Sequence, residues 1–323
     1  MPFTVVRMNL VAPHEGPEAL SARYRAAVRM AAYADAHGVD TVQTEEHHGT
    51  GNGWLPSPFA FAGAVFGATE RIAVTVSAII GPLYDPLRLA EDIAVLDLLG
   101  GGRLVTVAGI GYRPEEYEQA GVEWGRRGKL QDLLLETLLK AWTGEPFTYR
   151  GRTVRVTPRP FTQPHPTLLV GGSSKAAARR AARLGLPFFP SAHLPELEAY
   201  YREQLTAHGT EGWTMMPAEK TPLLHLSEDP DRAWELYGEH FLHEARMYAS
   251  WQSKDIRSAV RSAASSVREL RAEGVYRIVT PDECAALGAE SLVLHPLCGG
   301  MPLEEGWRSL RLFTDDVLPR LHG

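Results

Sequence analysis

Gly38-Val39-Asp40-Thr41-Val42-Gln43-Thr44-Glu45-Glu46-His47-His48-Gly49 runs a short apolar strand straight into two carboxylates and two imidazoles. Parallel α/β enzymes present reactive groups at the C-terminal ends of their strands, so this stretch reads as an active-site edge. His47 and His48 point to opposite faces if the extended backbone persists: one enters the site and the other packs or hydrogen-bonds. A histidine near neutral pKa suits proton transfer or hydrogen bonding to a developing anion.

The same strand-then-helix rhythm continues on both sides. Strands are expected at 3–10, 39–43, 72–76, 103–108, 167–170, 186–190, 222–226 and 291–295. Helices are expected at 19–37, 57–68, 86–99, 129–142, up to 184, after Pro195, at 231–249 and at 303–318. Asp85 is placed to cap the third helix, and the run Gly100-Gly101-Gly102 to end it. Residues 146–156 read as a hairpin around Gly151-Arg152, and 250–290 as an irregular insertion holding a helix at 257–272 and a strand-like 276–279. Eight such units, with strands buried on both faces, predict an α/β fold: a single (β/α)8 TIM barrel forming one domain over 1–323. An open doubly wound sheet is the alternative.

A net charge of -6 and a pI near 6.1 give no basic surface to draw in nucleic acid or anionic lipid. No apolar run approaches the roughly 20 residues that cross a bilayer, and the N-terminus lacks the basic start and apolar core of a signal peptide. Two cysteines, Cys284 and Cys298, are too few for a disulfide framework and read as free thiols in a reducing compartment. The expectation is a cytoplasmic protein acting on small molecules.

Gly171-Gly172-Ser173-Ser174 lies between a strand and a helix, where free amides and two hydroxyls suit a phosphate; a tight turn with a serine N-cap is the alternative. Gly109-Ile110-Gly111 has Pro114 where a dinucleotide fingerprint needs its third glycine, and no Walker motif is present. His240, His243 and Glu244 share a helix face, but a helix so charged reads as solvated, so no metal is expected. The aromatic segment 237–251 reads as helix packing.

With Glu46-His47-His48 after the second strand, the chain resembles the bacterial luciferase-like flavin-dependent oxidoreductases. The resemblance continues in Ser57-Pro58-Phe59, Ala68-Thr69-Glu70-Arg71-Ile72, Pro86-Leu87-Arg88-Leu89-Ala90-Glu91-Asp92, Leu96-Asp97-Leu98-Leu99 and Gly102-Arg103-Leu104. It extends through 166–172 to Leu294-His295-Pro296, Leu312-Phe313 and Val317-Leu318-Pro319. It implies a barrel binding FMN or, in a sister branch, the 8-hydroxy-5-deazaflavin coenzyme. His47 matches the family's catalytic histidine, acting at the flavin peroxide step, with Glu46 and His48 orienting it or lining the flavin pocket. Ser77-Ala78 matches a bulge with a non-prolyl cis peptide behind the flavin ring, near Gly109, and Gly171, Gly172, Ser173 and Ser174 match the phosphate position. The luciferase subunit has an arginine where this chain has Ile110, which leaves Arg127 or Lys175 as the phosphate's cation. The resemblance implies a monooxygenase that takes reduced FMN from a separate reductase, together with O2 and a small organic substrate, and works as a homodimer through the helices after the second and third strands, which carry small, apolar residues at 60–68. Deazaflavin-dependent hydride transfer and a non-catalytic flavin-binding subunit are the alternatives.

Overall fold

The computed structural model describes residues 1–219, 222–252 and 258–321. In chain order the elements begin with β1 (Phe3–Arg7), α1 (Pro17–Ala36), β2 (Thr41–Thr44), α2 (Pro58–Phe66), β3 (Ala73–Ile80), α3 (Pro86–Gly100) and β4 (Leu104–Gly109). Next come α4 (Pro114–Ala120), α5 (Arg127–Ala141), β5 (Phe147–Tyr149), β6 (Arg152–Val154), β7 (Thr167–Gly172), α6 (Lys175–Arg183), β8 (Phe188–Pro190) and α7 (Pro195–His208). The chain closes with β9 (Leu223–Leu226), α8 (Pro230–Trp251), α9 (Val267–Glu273), β10 (Tyr276–Val279), α10 (Pro281–Ala285), β11 (Ser291–Leu294), α11 (Leu303–Arg311) and α12 (Leu318–Leu321).

The residues group into two compact units. One holds residues 1–56, 68–72 and 217–323, and its strands run parallel in the order β10-β9-β11-β1-β2. Its core joins Val5, Leu223, Trp234, Phe241, Leu242, Leu270, Ile278 and Val293. Asp35, near the end of α1, accepts the backbone amides of Glu70, Arg71 and Ile72 and so ties that short stretch into the unit. The other unit holds residues 57–67 and 73–216, with parallel strands in the order β3-β4-β7-β8 and the antiparallel hairpin β5–β6 where the sequence places it. Asp85 caps α3 by accepting from Leu87 and Arg88, and Gly101 ends it at φ +56°.

Two expectations are revised, one is borne out, and one helix is added. The helix expected at 257–272 begins only at Val267; residue 257 lies outside the described residues. The hydroxyls of Ser258 and Ser262 accept the amides of Val260 and Ala264, offering the backbone an alternative to helix before Ser266 caps α9. Residues 276–279 form a full strand, β10, in register with β9 (Tyr276 opposite Leu223), so β9 has β10 on one side and β11 on the other. Helix α4, which no expectation covered, is seven residues bracketed by Pro114 and Gly121, too short for a periodic signal. Finally, the helix expected at 303–318 passes through a π turn at Leu312–Val317, where the Thr314 hydroxyl donates back to the carbonyls of Leu310 and Arg311. Among the described residues no helix is long and apolar enough to cross a membrane.

Candidate active site

Pairing of β1 with β2 sets Arg7 opposite Gln43, two residues before Glu45. A charged residue inside an apolar strand must find a partner once buried. The Arg7 guanidinium grips Glu45 with two nitrogens, Nη2 to Oε1 at 2.7 Å and Nε to Oε2 at 3.3 Å. The Tyr248 hydroxyl donates to the same Oε1 at 2.9 Å and accepts from Arg7. On the alternate side, His48 Nε2 lies 2.6 Å from Glu46 Oε1. Although β2 ends at Thr44, the partners of the run still alternate: Glu45 joins Arg7 and Tyr248, whereas Glu46 holds His48.

His47 goes with Glu45. Its amide donates to the Leu55 carbonyl at 3.2 Å, and the Leu55 amide donates to the Asn9 carbonyl at 3.0 Å, which closes residues 48–54 into a tight loop. The loop delivers Trp54, whose amide donates to Thr50 Oγ1 at 3.0 Å. From α8, Glu244, Tyr248 and Trp251 fall at i, i+4 and i+7 and so share one helix face. The His47 ring centroid lies 5.2 Å from that of Trp54 at 87°, 4.8 Å from Trp251 at 49° and 6.3 Å from Tyr248 at 73°. His47 also lines an open pocket of about 260 Å³ with Leu20, Tyr24, Thr50, Trp54, Pro56 and the glycines 49 and 53.

Below this cage Glu244 is fully buried. Its carboxylate accepts from Asn9 Nδ2 at 2.7 Å, His295 Nε2 at 3.0 Å, the Tyr276 hydroxyl at 3.2 Å and the Cys298 thiol at 3.4 Å. Burial pushes its pKa up, but His295, Arg7 and Asn9 outweigh that and hold it far below the usual carboxylate range. The same burial, together with the Glu244 charge, pushes the Tyr276 hydroxyl and the Cys298 thiol up. Ligand atoms of Glu244, His295 and Cys298 lie within 4.8 Å of one another, the spacing a metal ion would use. The carboxylate is already saturated by donors, and the Arg7 guanidinium 3.8 Å away opposes a second cation, so the trio reads as a hydrogen-bonded hub.

The other expected site residues belong to the second unit. Ser77–Ala78 is a non-prolyl cis peptide bond, and the β3–β4 register shifts between Ser77 and Ile79. Gly109 sits against it: a Cβ there would lie 3.2 Å from the Ala78 Cβ. Gly171 and Gly172 end β7 rather than forming a free loop. Their missing side chains are required by packing, since a Cβ would lie 2.8 Å from Val107 Cγ1 and 3.0 Å from Ala177 Cβ respectively, with Gly172 at φ +145°. Ser174 caps α6 by accepting from the Ala177 amide at 3.3 Å. Arg127 opens α5 with its guanidinium 3.9 Å over the Trp124 ring and Nη1 donating to the Trp124 carbonyl at 3.0 Å. Lys175 Nζ lies 5.1 Å from the Tyr200 ring.

Arg7, Trp54, Tyr248 and Trp251 were not singled out by sequence reasoning. Two signals carried three of them: a lone arginine in the apolar strand Phe3–Arg7, and the i, i+4, i+7 recurrence of large polar and aromatic groups on α8; Trp54, in the loop before α2, had none.

Residues 1–290 match the family described as Luciferase-like monooxygenase. Protein y4vJ of Sinorhizobium fredii is 28% identical over 246 residues, 72% of this chain and 70% of that protein. The FMNH(2)-dependent dimethylsulfone monooxygenase of Pseudomonas putida is 28% identical over 141 residues, 41% of this chain and 39% of that enzyme. The crystal structure of monooxygenase RslO1 from Streptomyces bottropensis superposes with a TM-score of 0.77 at 27% identity, covering 99% of this chain and 100% of that one. The chain is therefore of the α/β class, with the TIM-barrel fold of its luciferase-like neighbours, and belongs to the luciferase-like, flavin-dependent monooxygenase family.

Proposed function

We propose that this protein is an FMN-dependent monooxygenase that uses O2 and reduced FMN, supplied by a separate reductase, to oxidise a small organic substrate. The observation that carries the reading is His47, set directly after β2, caged by three aromatic rings and lining a cavity of about 260 Å³. That volume falls just below the range of about 300–1,000 Å³ typical of ligand pockets, which suits a small molecule better than a flavin. Leu20, Tyr24, Trp54 and Pro56 supply its apolar lining, and His47 and Thr50 polar groups.

The residues of the β7–α6 turn fit a phosphate. Ser173 and Ser174 offer hydroxyls, Lys175 a cation, and the first amides of α6 the positive end of a helix. Arg127, pre-set against Trp124, offers a second cation of fixed direction. Ser77, Ala78 and Gly109 are assigned to the flavin ring, and Glu46 and His48, bonded to each other, to the flavin pocket. When bound, reduced FMN supplies the two electrons of the reaction. The chain's own part is to hold a hydrogen-bond donor, His47, where negative charge develops on oxygen, and to keep water away with Trp54, Tyr248 and Trp251. Exposed Val95, Leu98 and Leu99 on α3 offer an apolar face for a homodimer.

The test is anaerobic titration with reduced FMN and, separately, with the reduced 8-hydroxy-5-deazaflavin coenzyme, followed by mixing with oxygen. Tight binding of reduced FMN and oxidation by O2 are expected. Binding of the deazaflavin alone would replace monooxygenation with hydride transfer, and binding of FMN without an effect on its oxidation would mark a non-catalytic subunit.

A further inference from the structure

Tyr248 contributes more to the end of β2 than an aromatic surface. A phenylalanine would supply the same ring, yet the phenol hydroxyl sits between the Arg7 guanidinium and Glu45 Oε1. The Arg7–Glu45 pair is almost wholly buried, with side chains 5% and 8% exposed. Buried ion pairs add little net stability over apolar packing of the same volume; what they can supply is one fixed arrangement. Here Arg7 fixes Glu45 through two hydrogen bonds, and Glu45 fixes the phenol.

The fixed ring then acts on its neighbours. Tyr248 meets Trp54 edge-on, with centroids 4.8 Å apart at 83°, and Trp54 meets His47 edge-on at 5.2 Å. Trp251, three residues along the same helix, lies 5.0 Å from Trp54 and 4.8 Å from His47. Near-perpendicular aromatic contacts have a preferred geometry, so four rings in mutual contact restrict the imidazole's rotation about its own side-chain bonds. Tyr276 provides a natural contrast. Its hydroxyl donates into the same buried network, to Glu244 Oε1, but its ring packs on Phe241 at 5.9 Å.

We infer that the Arg7–Glu45–Tyr248 clamp sets the orientation of the His47 ring, which makes Tyr248 a positioning residue for the reaction. This rests on the reading of His47 as the catalytic group. The test compares Tyr248→Phe with Tyr276→Phe, each in the presence and absence of His47. Three quantities are read: the Kd for reduced FMN; the His47 imidazole proton–carbon resonance of the flavin-free protein, assigned by its loss in His47→Ala; and the rate at which oxidised flavin reappears after mixing with oxygen.

Tyr248→Phe is expected to move the His47 resonance and to slow flavin reoxidation about tenfold, within the penalty known for small misplacements of a reacting group. In the His47→Ala background the same change should cost less than about twofold, the signature of coupled residues. Tyr276→Phe should leave the resonance and the rate in place. Glu45→Gln, which keeps the volume and weakens the clamp, should act in the direction of Tyr248→Phe and serves if that variant folds poorly. The inference is overturned by an unmoved His47 resonance in both clamp variants, by equal slowing in both backgrounds, or by equal effects of Tyr276→Phe. Should His47→Ala itself reoxidise flavin at the normal rate, the catalytic reading of His47 fails, while the resonance still decides whether the clamp orients it.

Discussion

At the end of β2, Arg7, Glu45, Glu244 and Tyr248 are all buried, and they are held by bonds from side chain to side chain. At the β7–α6 turn, by contrast, Ser173 is half-buried and Ser174 exposed, the glycines before them are dictated by packing, and the groups on offer are backbone amides and short hydroxyls. A ring that must point one way is set by charges that fit together one way. A turn suited to a dianion keeps amides and hydroxyls near solvent. The two regions should therefore fail differently: the first through loss of fold and orientation, the second through loss of affinity.

The largest effect expected is that of Glu244→Ala. It leaves His295, Asn9 and part of the Arg7 charge buried without their shared acceptor, at a cost of about 3–5 kcal/mol in thermal or denaturant unfolding. A cost near that of a surface change would remove the distinction between the regions. Asp35→Asn sharpens it, because Asp35 is a carboxylate answered by three backbone amides instead of by side chains. Burial pushes the Asp35 pKa up, but the amides of Glu70, Ile72 and Arg71 outweigh it and bring it below the usual value. A lowered folded-state pKa means that the stabilisation is present above the unfolded value of about 4 and is lost as pH falls through the folded one. The substitution should cost about 2 kcal/mol at neutral pH and progressively less in acid, measured by urea unfolding across pH. A penalty independent of pH would contradict the assignment.

Ser174→Ala removes an N-cap, which should cost about 1 kcal/mol in unfolding, and with it a hydroxyl assigned to the phosphate, so reduced FMN should also bind more weakly. Smallest in stability is Lys175→Ala, which should leave unfolding unchanged yet weaken reduced FMN a few-fold through the lost charge at the helix start. Riboflavin, which lacks the phosphate, should bind the variant as it binds the parent. Equal weakening of both ligands would remove Lys175 from the phosphate assignment.

Much of this was legible in the sequence, for identifiable reasons. The strand-then-helix rhythm, the hairpin around Gly151-Arg152 and the Asp85 cap are local signals, written in residues next to the elements they define. His47 and His48 could be read as facing opposite ways by carrying strand alternation past Thr44, where β2 ends. The cage around His47 could not. Tyr248 lies 203 residues from the Glu45 it bonds, and Arg7 lies 241 from Tyr248. The aromatic segment 237–251 was legible as packing, but not what it packs on. The late start of α9 was blurred for the opposite reason: serines that compete locally with helix erase the period before Val267.

The central claim is that His47, held by this cage, stabilises charge developing on oxygen. Its most direct test mixes oxygen with the protein carrying reduced FMN and times the return of oxidised-flavin absorbance, parent against His47→Ala. Loss of one such preorganised donor should slow that return about a hundredfold, with the Kd for reduced FMN changed less than about twofold. An unchanged rate at unchanged affinity would contradict the account.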